Sequence, residues 1–169
     1  MKIVRDNLTI RAAAVDDVPF LGKWWRDGAV MAHAGFPLGL QITDDEIAQS
    51  LHPGLLIIEV DGVRAGEMSY RDIGDKTAQI GIKICETDMQ NKGYGTKLLD
   101  MLIAQLFEHL EFERIVLDTN AENVRAQRAY ERLGFRKVAV HTDSWTNQLG
   151  HLQSSIDYEL LKSEYKKRN

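Results

Sequence analysis

The segment Gln90-Asn91-Lys92-Gly93-Tyr94-Gly95-Thr96 separates an apolar strand pattern from a long helical pattern. Its two glycines let the backbone turn tightly and come close to a ligand. The first amide groups of a helix have no partner within the helix, and the helix dipole adds partial positive charge there. Together these features predict a binding site for an anion such as a diphosphate.

Two common nucleotide-binding loops do not fit this segment. A Walker loop needs Gly-Lys-Ser/Thr after four further positions, and no such run is present. A Rossmann fingerprint needs a third glycine at position 98, where this chain has Leu98. The sequence therefore favours a different kind of anion-binding loop.

Hydrophobic periodicity on both sides of the loop predicts an α/β fold. Alternating or continuous apolar residues predict strands over 8–12, 55–60, 64–70, 77–85, 114–119, 135–140 and 153–160, with a hairpin turn at Asp61-Gly62. Helical spacing and capping signals predict helices over 16–25, 44–50, 93–110 and 123–133. This order predicts a mixed, mostly antiparallel sheet with helices on both faces, in a single domain over 1–169.

Composition narrows the class of protein further. The chain has 169 residues, one cysteine and a formal net charge of −4, which disfavours a general nucleic-acid-binding surface. The histidines have no zinc-ligand spacing, and no apolar run is long enough to cross a membrane. We therefore expect a cytoplasmic enzyme that uses no metal and acts on neither a membrane nor nucleic acid.

Two sequence blocks, taken in order, resemble those of one enzyme family. The run Gln90-x-x-Gly93-x-Gly95 is similar to the glycine-loop signature of the GNAT acetyltransferases, and Asn123-x-x-Ala126-x-x-x-Tyr130-x-x-x-Gly134-Phe135 is similar to the second hallmark of that family. The end of the chain, from Gln153 to Tyr158, resembles the branch that includes ribosomal-protein N-terminal acetyltransferases.

The resemblance implies a site for acetyl-CoA. In this family the sheet splays between the fourth and fifth predicted strands, 77–85 and 114–119, and the pantetheine arm lies in the gap. Backbone groups of Ile82, Lys83 and Ile84 would then contact the arm. The diphosphate would meet main-chain N–H groups of Gln90, Asn91, Lys92, Gly93, Tyr94, Gly95 and Thr96. Asn123 would hydrogen-bond the cofactor, although it also fits the cap of a helix.

The resemblance also implies catalytic roles. Tyr130 would protonate the departing thiolate, although a helix-face aromatic explains it too. The base stays open, because the position that is acidic in many relatives is Gln79 here. Glu67 is the preferred base, with Glu86, Asp143 and His151 as alternatives. Cys85 lacks features of an activated thiol, so we expect direct transfer in a ternary complex rather than an acyl-enzyme.

Aromatic side chains outside the cofactor site are candidates for the pocket of the acceptor. The side chains predicted to line the acceptor pocket are those of Trp24, Trp25, His33, Phe36 and Trp145. Adjacent helical residues diverge by about 100°, so one of Trp24 and Trp25 should be core and the other should face the cleft or solvent. The acceptor would be a small amine, such as a polyamine or aminoglycoside, or a protein N-terminus, and a homodimer is common in such families. The alternatives are a degenerate GNAT domain that binds CoA as a sensor or scaffold, and a binder of nucleotide phosphates.

Overall fold

The computed structural model describes residues 1–168, so Asn169, the last residue of the predicted domain, lies outside the described residues. The strands are β1 (Lys2–Arg5), β2 (Leu8–Ala12), β3 (Leu55–Val60), β4 (Val63–Asp72), β5 (Thr77–Ile84), β6 (Arg114–Asn120), β7 (Arg136–Thr146) and β8 (Leu152–Leu161). The helices are α1 (Val18–Trp25), α2 (Gly28–Met31), α3 (Asp44–Ser50), α4 (Tyr94–Glu108) and α5 (Val124–Arg132). Short 3-10 turns lie at Val15–Asp17, Ala32–Ala34, Thr87–Met89 and Lys162–Glu164. Within residues 1–168, each helix is too short or too polar to span a lipid bilayer.

All eight of these strands belong to one sheet in the order β1-β2-β3-β4-β5-β6-β8-β7. Neighbouring strands are antiparallel, with the single exception among the described strands of the parallel pair β5 and β6. The predicted mixed, mostly antiparallel sheet is therefore confirmed.

The parallel pair β5 and β6 separates after a short contact. Its register runs from Thr77 opposite Arg114 to Gln79 opposite Val116, where the pairing stops. Beyond this point β5 stays paired with β4, and β6 stays paired with β8 to its end. The predicted splay between the fourth and fifth strands of the sequence is confirmed, and it opens a gap beside residues 80–84.

The first strand was not predicted, so the fourth and fifth predicted strands are β5 and β6 of the structure. β1 has four residues whose burial alternates only between exposed and partly buried, which leaves little hydrophobic signal. The predicted strand over 135–140 is also too short, because β7 runs on to Thr146. Trp145 therefore lies in a strand and not in the predicted loop; most of β7 is exposed, so its polar sequence resembles a loop.

Two hydrophobic cores cover the two faces of the sheet. The larger core packs α4 and α5 against one face, and it buries most of the apolar stripe that helical spacing predicts for α4: Leu98, Leu99, Leu102, Ile103, Leu106 and Phe107. Leu110, the last residue predicted for the stripe, lies beyond the end of α4 and is exposed. The second core packs Val18, Leu21 and Trp24 of α1 and Ile47 of α3 against Leu55 and Ile57 of β3. Helices on both faces are thus confirmed.

A buried carboxylate fixes the start of α1 to the sheet. Asp17 is fully buried and accepts hydrogen bonds from Arg11 at 2.7 and 2.8 Å and from Arg64 at 2.7 Å. The main-chain N–H of Ala14 donates a further bond of 2.8 Å. These contacts join the turn before α1 to β2 and β4, and so orient the helix against the sheet.

Candidate active site

The gap between β5 and β6 opens into a cleft of about 1080 Å³. Its walls are the free part of β5, the glycine loop and first turn of α4, the end of β6, the inner face of α5 and the Ala32–Ala34 turn. The predicted cofactor contacts that line it are Ile82, Lys83, Ile84, Gln90, Asn91, Gly93, Tyr94, Gly95, Thr96 and Asn123. Lys92 is exposed and lies outside the wall of the cleft.

The glycine loop turns the chain from β5 into α4. Gly93 precedes the helix in a left-handed conformation with φ of 78°, which a residue with a side chain adopts only with strain. The side-chain amide of Gln90 donates a 2.8 Å hydrogen bond to the carbonyl of Ile84, which ties the loop to the end of β5. The first turn of α4 thus presents main-chain N–H groups and the positive end of the helix dipole to the cleft.

A row of arginines on α5 adds positive charge that was not predicted from the sequence. Arg125, Arg128 and Arg132 line the cleft at helical spacing. Arg125 lies 3.3 Å from the side-chain oxygens of both Gln90 and Asn91, so its guanidinium is held over the glycine loop. The spacing is visible in the sequence, but only the fold shows that this side of α5 faces the loop.

Two predicted residues enter the cleft from the start and the inner face of α5. The side chain of Asn123 caps the helix by accepting a 3.2 Å bond from the N–H of Ala126, and it also lines the cleft. Tyr130 is buried, with its ring centroid 5.6 Å from that of Tyr158 and 6.1 Å from that of Phe135. Burial, and then the nearby Asp118 carboxylate, raise the pKa of Tyr130 to about 12. Its hydroxyl is therefore a proton-bearing donor at neutral pH.

The predicted base Glu67 is buried behind the cleft. Its carboxylate accepts a 2.8 Å bond from the indole N–H of Trp25 and lies 3.2 Å from the ammonium of Lys83, which is its cross-strand neighbour. Lys83 lines the cleft and Glu67 does not. Through this ion pair, Glu67 positions the side chain of Lys83 at the wall of the cleft.

Other predicted acid–base residues also have partners. Glu86 accepts 2.9 Å bonds from the Trp24 indole and from Lys23, and these two contacts, in that order, lower the pKa of Glu86. Gln79 lies outside the cleft and accepts a bond from Arg71 at 2.5 Å. The lack of an acid at position 79 therefore does not alter the wall of the cleft in this chain.

The lone cysteine is unsuited to carrying an acyl group. Cys85 is buried against the second core. Burial, and then the negative charge of Glu67, raise the pKa of its thiol well above the ordinary value. The thiolate needed for nucleophilic attack is therefore strongly disfavoured.

Of the predicted acceptor residues, Trp145 lines the cleft, as does His33. Trp24 is core, whereas the partly buried Trp25 binds Glu67 through its indole, which agrees with the divergence expected of adjacent helical residues. Phe36 is exposed and lies outside the wall of the cleft.

A clasp joins two chain segments at one end of the cleft. The N–H of Gln148 donates to the carbonyl of Gly35 at 2.8 Å, and its side chain accepts from the N–H of Leu38 at 2.9 Å and donates to the carbonyl of Gly39 at 3.1 Å. The ring of Trp145 lies so close to Gly35 that a Cβ there would be 2.5 Å from it. The connection between β7 and β8 is thereby fixed to the segment that follows α2.

Asp118 is a carboxylate on β6 that lines the cleft and was not predicted from the sequence. Alternation along β6, which buries Ile115, Leu117 and Thr119, would predict that Asp118 faces the other way. It would not predict that this position borders a gap.

Among residues 1–168, no group of three or more metal-ligating side chains comes together.

The chain is similar to known acetyltransferases over most of its length. Residues 7–136 match the family described as acetyltransferase (GNAT) domain. A kanamycin resistance protein of Rhizobium radiobacter is 44% identical over 73 residues, which are 43% of this chain and 68% of that protein.

Solved structures show the same fold at low sequence identity. A spermidine N-acetyltransferase from Vibrio cholerae, solved with CoA and spermine, has a TM-score of 0.83 and 21% identity over 95% of this chain and 99% of that one. RimL, a ribosomal L7/L12 α-N-protein acetyltransferase solved with coenzyme A, has a TM-score of 0.81 and 18% identity over 94% of this chain and 96% of that one.

Proposed function

Because the chain belongs to the GNAT acetyltransferase family and is therefore an acetyl-CoA-dependent N-acetyltransferase, we propose that it transfers acetyl to a primary amine by direct attack within a ternary complex. The observation that carries this proposal is the continuity of one cleft. The gap between β5 and β6 leads directly into the glycine loop at the start of α4, and Tyr130 lies in the same cavity.

The proposed cofactor position follows from the donors that the cleft presents. The pantetheine arm would lie in the gap and pair with main-chain groups of Ile82, Lys83 and Ile84, which β6 leaves free on that side. The diphosphate would accept hydrogen bonds from main-chain N–H groups between Gln90 and Thr96. Arg125 would add a cation above the loop, and Lys92 would act from outside the wall. Asn123 would reach the arm from the start of α5.

In the proposed reaction, the hydroxyl of Tyr130 donates a proton to the departing sulfur of CoA. The amine nitrogen forms a bond to the thioester carbon, the C–S bond breaks, and the electron pair goes to sulfur. An ammonium acceptor loses two protons in all, of which one ends on the sulfur and one is released. A phenol with a pKa of about 12 stays protonated near pH 7, so Tyr130 can hydrogen-bond the thiolate and pass a proton to it as it receives one from the nitrogen.

Direct transfer, without an acyl-enzyme, is supported by the surroundings of Cys85. A ping-pong route needs an accessible nucleophile, and the Cys85 thiol is buried with a raised pKa. Glu67 is the base that the sequence predicts. For Glu67 to act, a water would have to connect its carboxylate with the cleft, because Trp25 and Lys83 occupy its near contacts.

The proposed acceptor is a small-molecule amine or a protein N-terminus. Trp145 and His33 would form its aromatic wall, while Trp25 and Phe36 lie outside that wall and would contribute indirectly. Relatives with each kind of acceptor share the fold, namely a spermidine acetyltransferase and a ribosomal-protein α-N-acetyltransferase. Membership of the ribosomal-protein branch and a homodimeric state are parts of the same proposal.

Release of free CoA against a panel of amines tests the proposed function. The panel would contain spermidine, an aminoglycoside and peptides with free N-termini, with the acetylated product identified by mass. With at least one amine, we expect the protein to form one acetylated product for each CoA released from acetyl-CoA. Saturable acetyl-CoA binding without turnover on any amine would favour the sensor, and protection against melting by ATP but not by acetyl-CoA would favour a nucleotide site.

A further inference from the structure

The orientation of Asp118 is fixed by its neighbours on β6. Leu117 belongs to the core beneath α4 and α5, with 3% of its surface exposed. Thr119, two residues further along the strand, is also buried, with 9% exposed. Successive residues of a strand point to opposite faces of the sheet. Asp118 therefore points away from that core, toward the face on which Gln79 and Lys83 also lie. It does so beyond the last paired position, at the edge of the open gap.

Asp118 and Tyr130 approach the gap from opposite sides of the sheet. Tyr130 comes from α5 on the core side, and both residues line the cleft. Burial, and then the negative charge of Asp118, raise the pKa of the Tyr130 hydroxyl. A thioester in the gap would thus have a proton donor on one side and a carboxylate on the other.

The other acidic side chains near the gap are already engaged. Glu67 binds Trp25 and Lys83, and Glu86 binds Trp24 and Lys23. Asp118 instead lies opposite Asp157 on the β6–β8 pair, and Oδ2 of Asp157 is 2.7 Å from Nε2 of His141. Like charges directly opposite each other on paired strands repel, so this part of the sheet attracts a cationic group such as the ammonium of an acceptor.

We propose that Asp118 is the carboxylate that takes the proton from the acceptor ammonium, directly or through one water; this inference rests on the proposed function. The proton moves from nitrogen to a carboxylate oxygen of Asp118, which frees the lone pair to attack the thioester carbon. The second proton of the nitrogen goes toward the sulfur by way of Tyr130, and Asp118 returns its proton to solvent. On the sheet, Asp157 lies opposite Asp118 and His141 contacts Asp157. The charged and titratable groups that share the cleft with Asp118 are His33, Lys83, Tyr94, Arg125, Arg128, Tyr130 and Arg132.

The test compares Asp118→Asn with wild type at saturating acetyl-CoA. General-base catalysis contributes about 10²–10⁴-fold, so we expect kcat to fall by about that factor while the Kd for acetyl-CoA changes little. The loss should depend on the acceptor: it should be large for an amine as basic as lysine, with a pKa of about 10.4, and small for an amine that is neutral at the assay pH. Asp118→Glu should recover part of the rate.

Controls separate this inference from the proposed function. Asp45→Asn removes an exposed carboxylate of α3 and monitors the effect of net charge alone. If wild type releases no CoA with any amine, the proposed function itself fails. If wild type turns over and Asp118→Asn keeps its kcat, or raises only the KM of the acceptor, Asp118 is not the base. Loss of turnover in Glu67→Gln with an active Asp118→Asn would assign the base to Glu67 and overturn the inference.

Discussion

The side-chain amide of Gln90 donates a 2.8 Å hydrogen bond to the main-chain carbonyl of Ile84. This bond closes the glycine loop onto the strand that borders the gap. We expect Gln90→Ala to raise the Kd for acetyl-CoA about 2- to 10-fold, because one hydrogen bond contributes about 0.5–1.5 kcal/mol. Isothermal titration calorimetry of each variant with acetyl-CoA would measure this Kd. Gln49→Ala, on the exposed side of α3, is the control, and an equal loss in both variants would contradict a role for the loop.

Gly93 and Gly62 form a matched pair for testing the cofactor site. Both have left-handed φ values, 78° and 77°, and a Cβ at either would meet no atom within 4 Å. Alanine at each should cost about 1–2 kcal/mol through backbone strain alone. We expect thermal denaturation to show similar losses in the two variants. Of the two variants, only Gly93→Ala should bind acetyl-CoA more weakly than wild type, by at least about tenfold. Equal affinity of the two variants for acetyl-CoA would show that the glycine loop is not part of the cofactor site.

Tyr130→Phe should separate catalysis from binding. We expect kcat to fall by about 10²-fold or more, since the departing sulfur loses its donor, while the Kd for acetyl-CoA stays within about twofold. A kcat close to that of wild type would show that the ring, and not the hydroxyl, matters.

The raised pKa of Tyr130 also predicts a dependence of stability on pH. The folded phenol has a pKa of about 12 and the unfolded one about 10. Its contribution is complete below about pH 10 and is lost as the pH rises toward 12. Denaturant unfolding between these pH values should show a smaller loss in Tyr130→Phe than in wild type, and equal slopes would be contrary to burial of the hydroxyl.

Asp17 should control stability in acid. Burial opposes its charge, but the bonds from Arg11 and Arg64 outweigh that cost and lower the pKa of Asp17 far below its usual range. We expect Asp17→Asn to lower the free energy of unfolding by about 3–5 kcal/mol, because Arg64 and Arg11 both lose a buried carboxylate, although Arg11 keeps its contact with Glu59. The neighbouring exposed Asp16→Asn should change it by less than about 0.5 kcal/mol.

The pH dependence of the Asp17 contribution has the opposite sign to that of Tyr130. A lowered pKa gives stability that is present above the unfolded value of about 3.9 and is lost as the pH falls below it. Unfolding monitored by circular dichroism should therefore show a steeper loss below pH 4 in wild type than in Asp17→Asn. Parallel curves would contradict this cluster as the source of acid sensitivity.

Local signals in the sequence predicted the fold better than the walls of the site. The glycine loop, the α4 stripe and the helix that carries Tyr130 depend on residues close together in the chain, and each is found in the structure. Family membership and the mixed sheet were predicted in the same way. β1 was not predicted, because a four-residue edge strand buries almost none of its surface and so has no clear hydrophobic alternation.

Residues whose roles depend on distant segments were harder to identify. Asp118 and Arg125 border the cleft only because β6 leaves β5 and because α5 packs over the glycine loop. Glu67 was preferred as the base from the sequence, yet its carboxylate contacts the indole of Trp25 from α1 and the ammonium of Lys83 from β5. Neither contact follows from spacing along one strand.

The clasp between Gln148 and the segment containing Gly35, Leu38 and Gly39 couples two loops that are more than a hundred positions apart in the sequence. If only one of the two loops were replaced with that of a homologue, the remaining loop would keep hydrogen-bonding groups without their partners. In related proteins that keep these contacts, the two loops should therefore change together during evolution. A chimera that imports both loops together should fold more stably than one that imports a single loop.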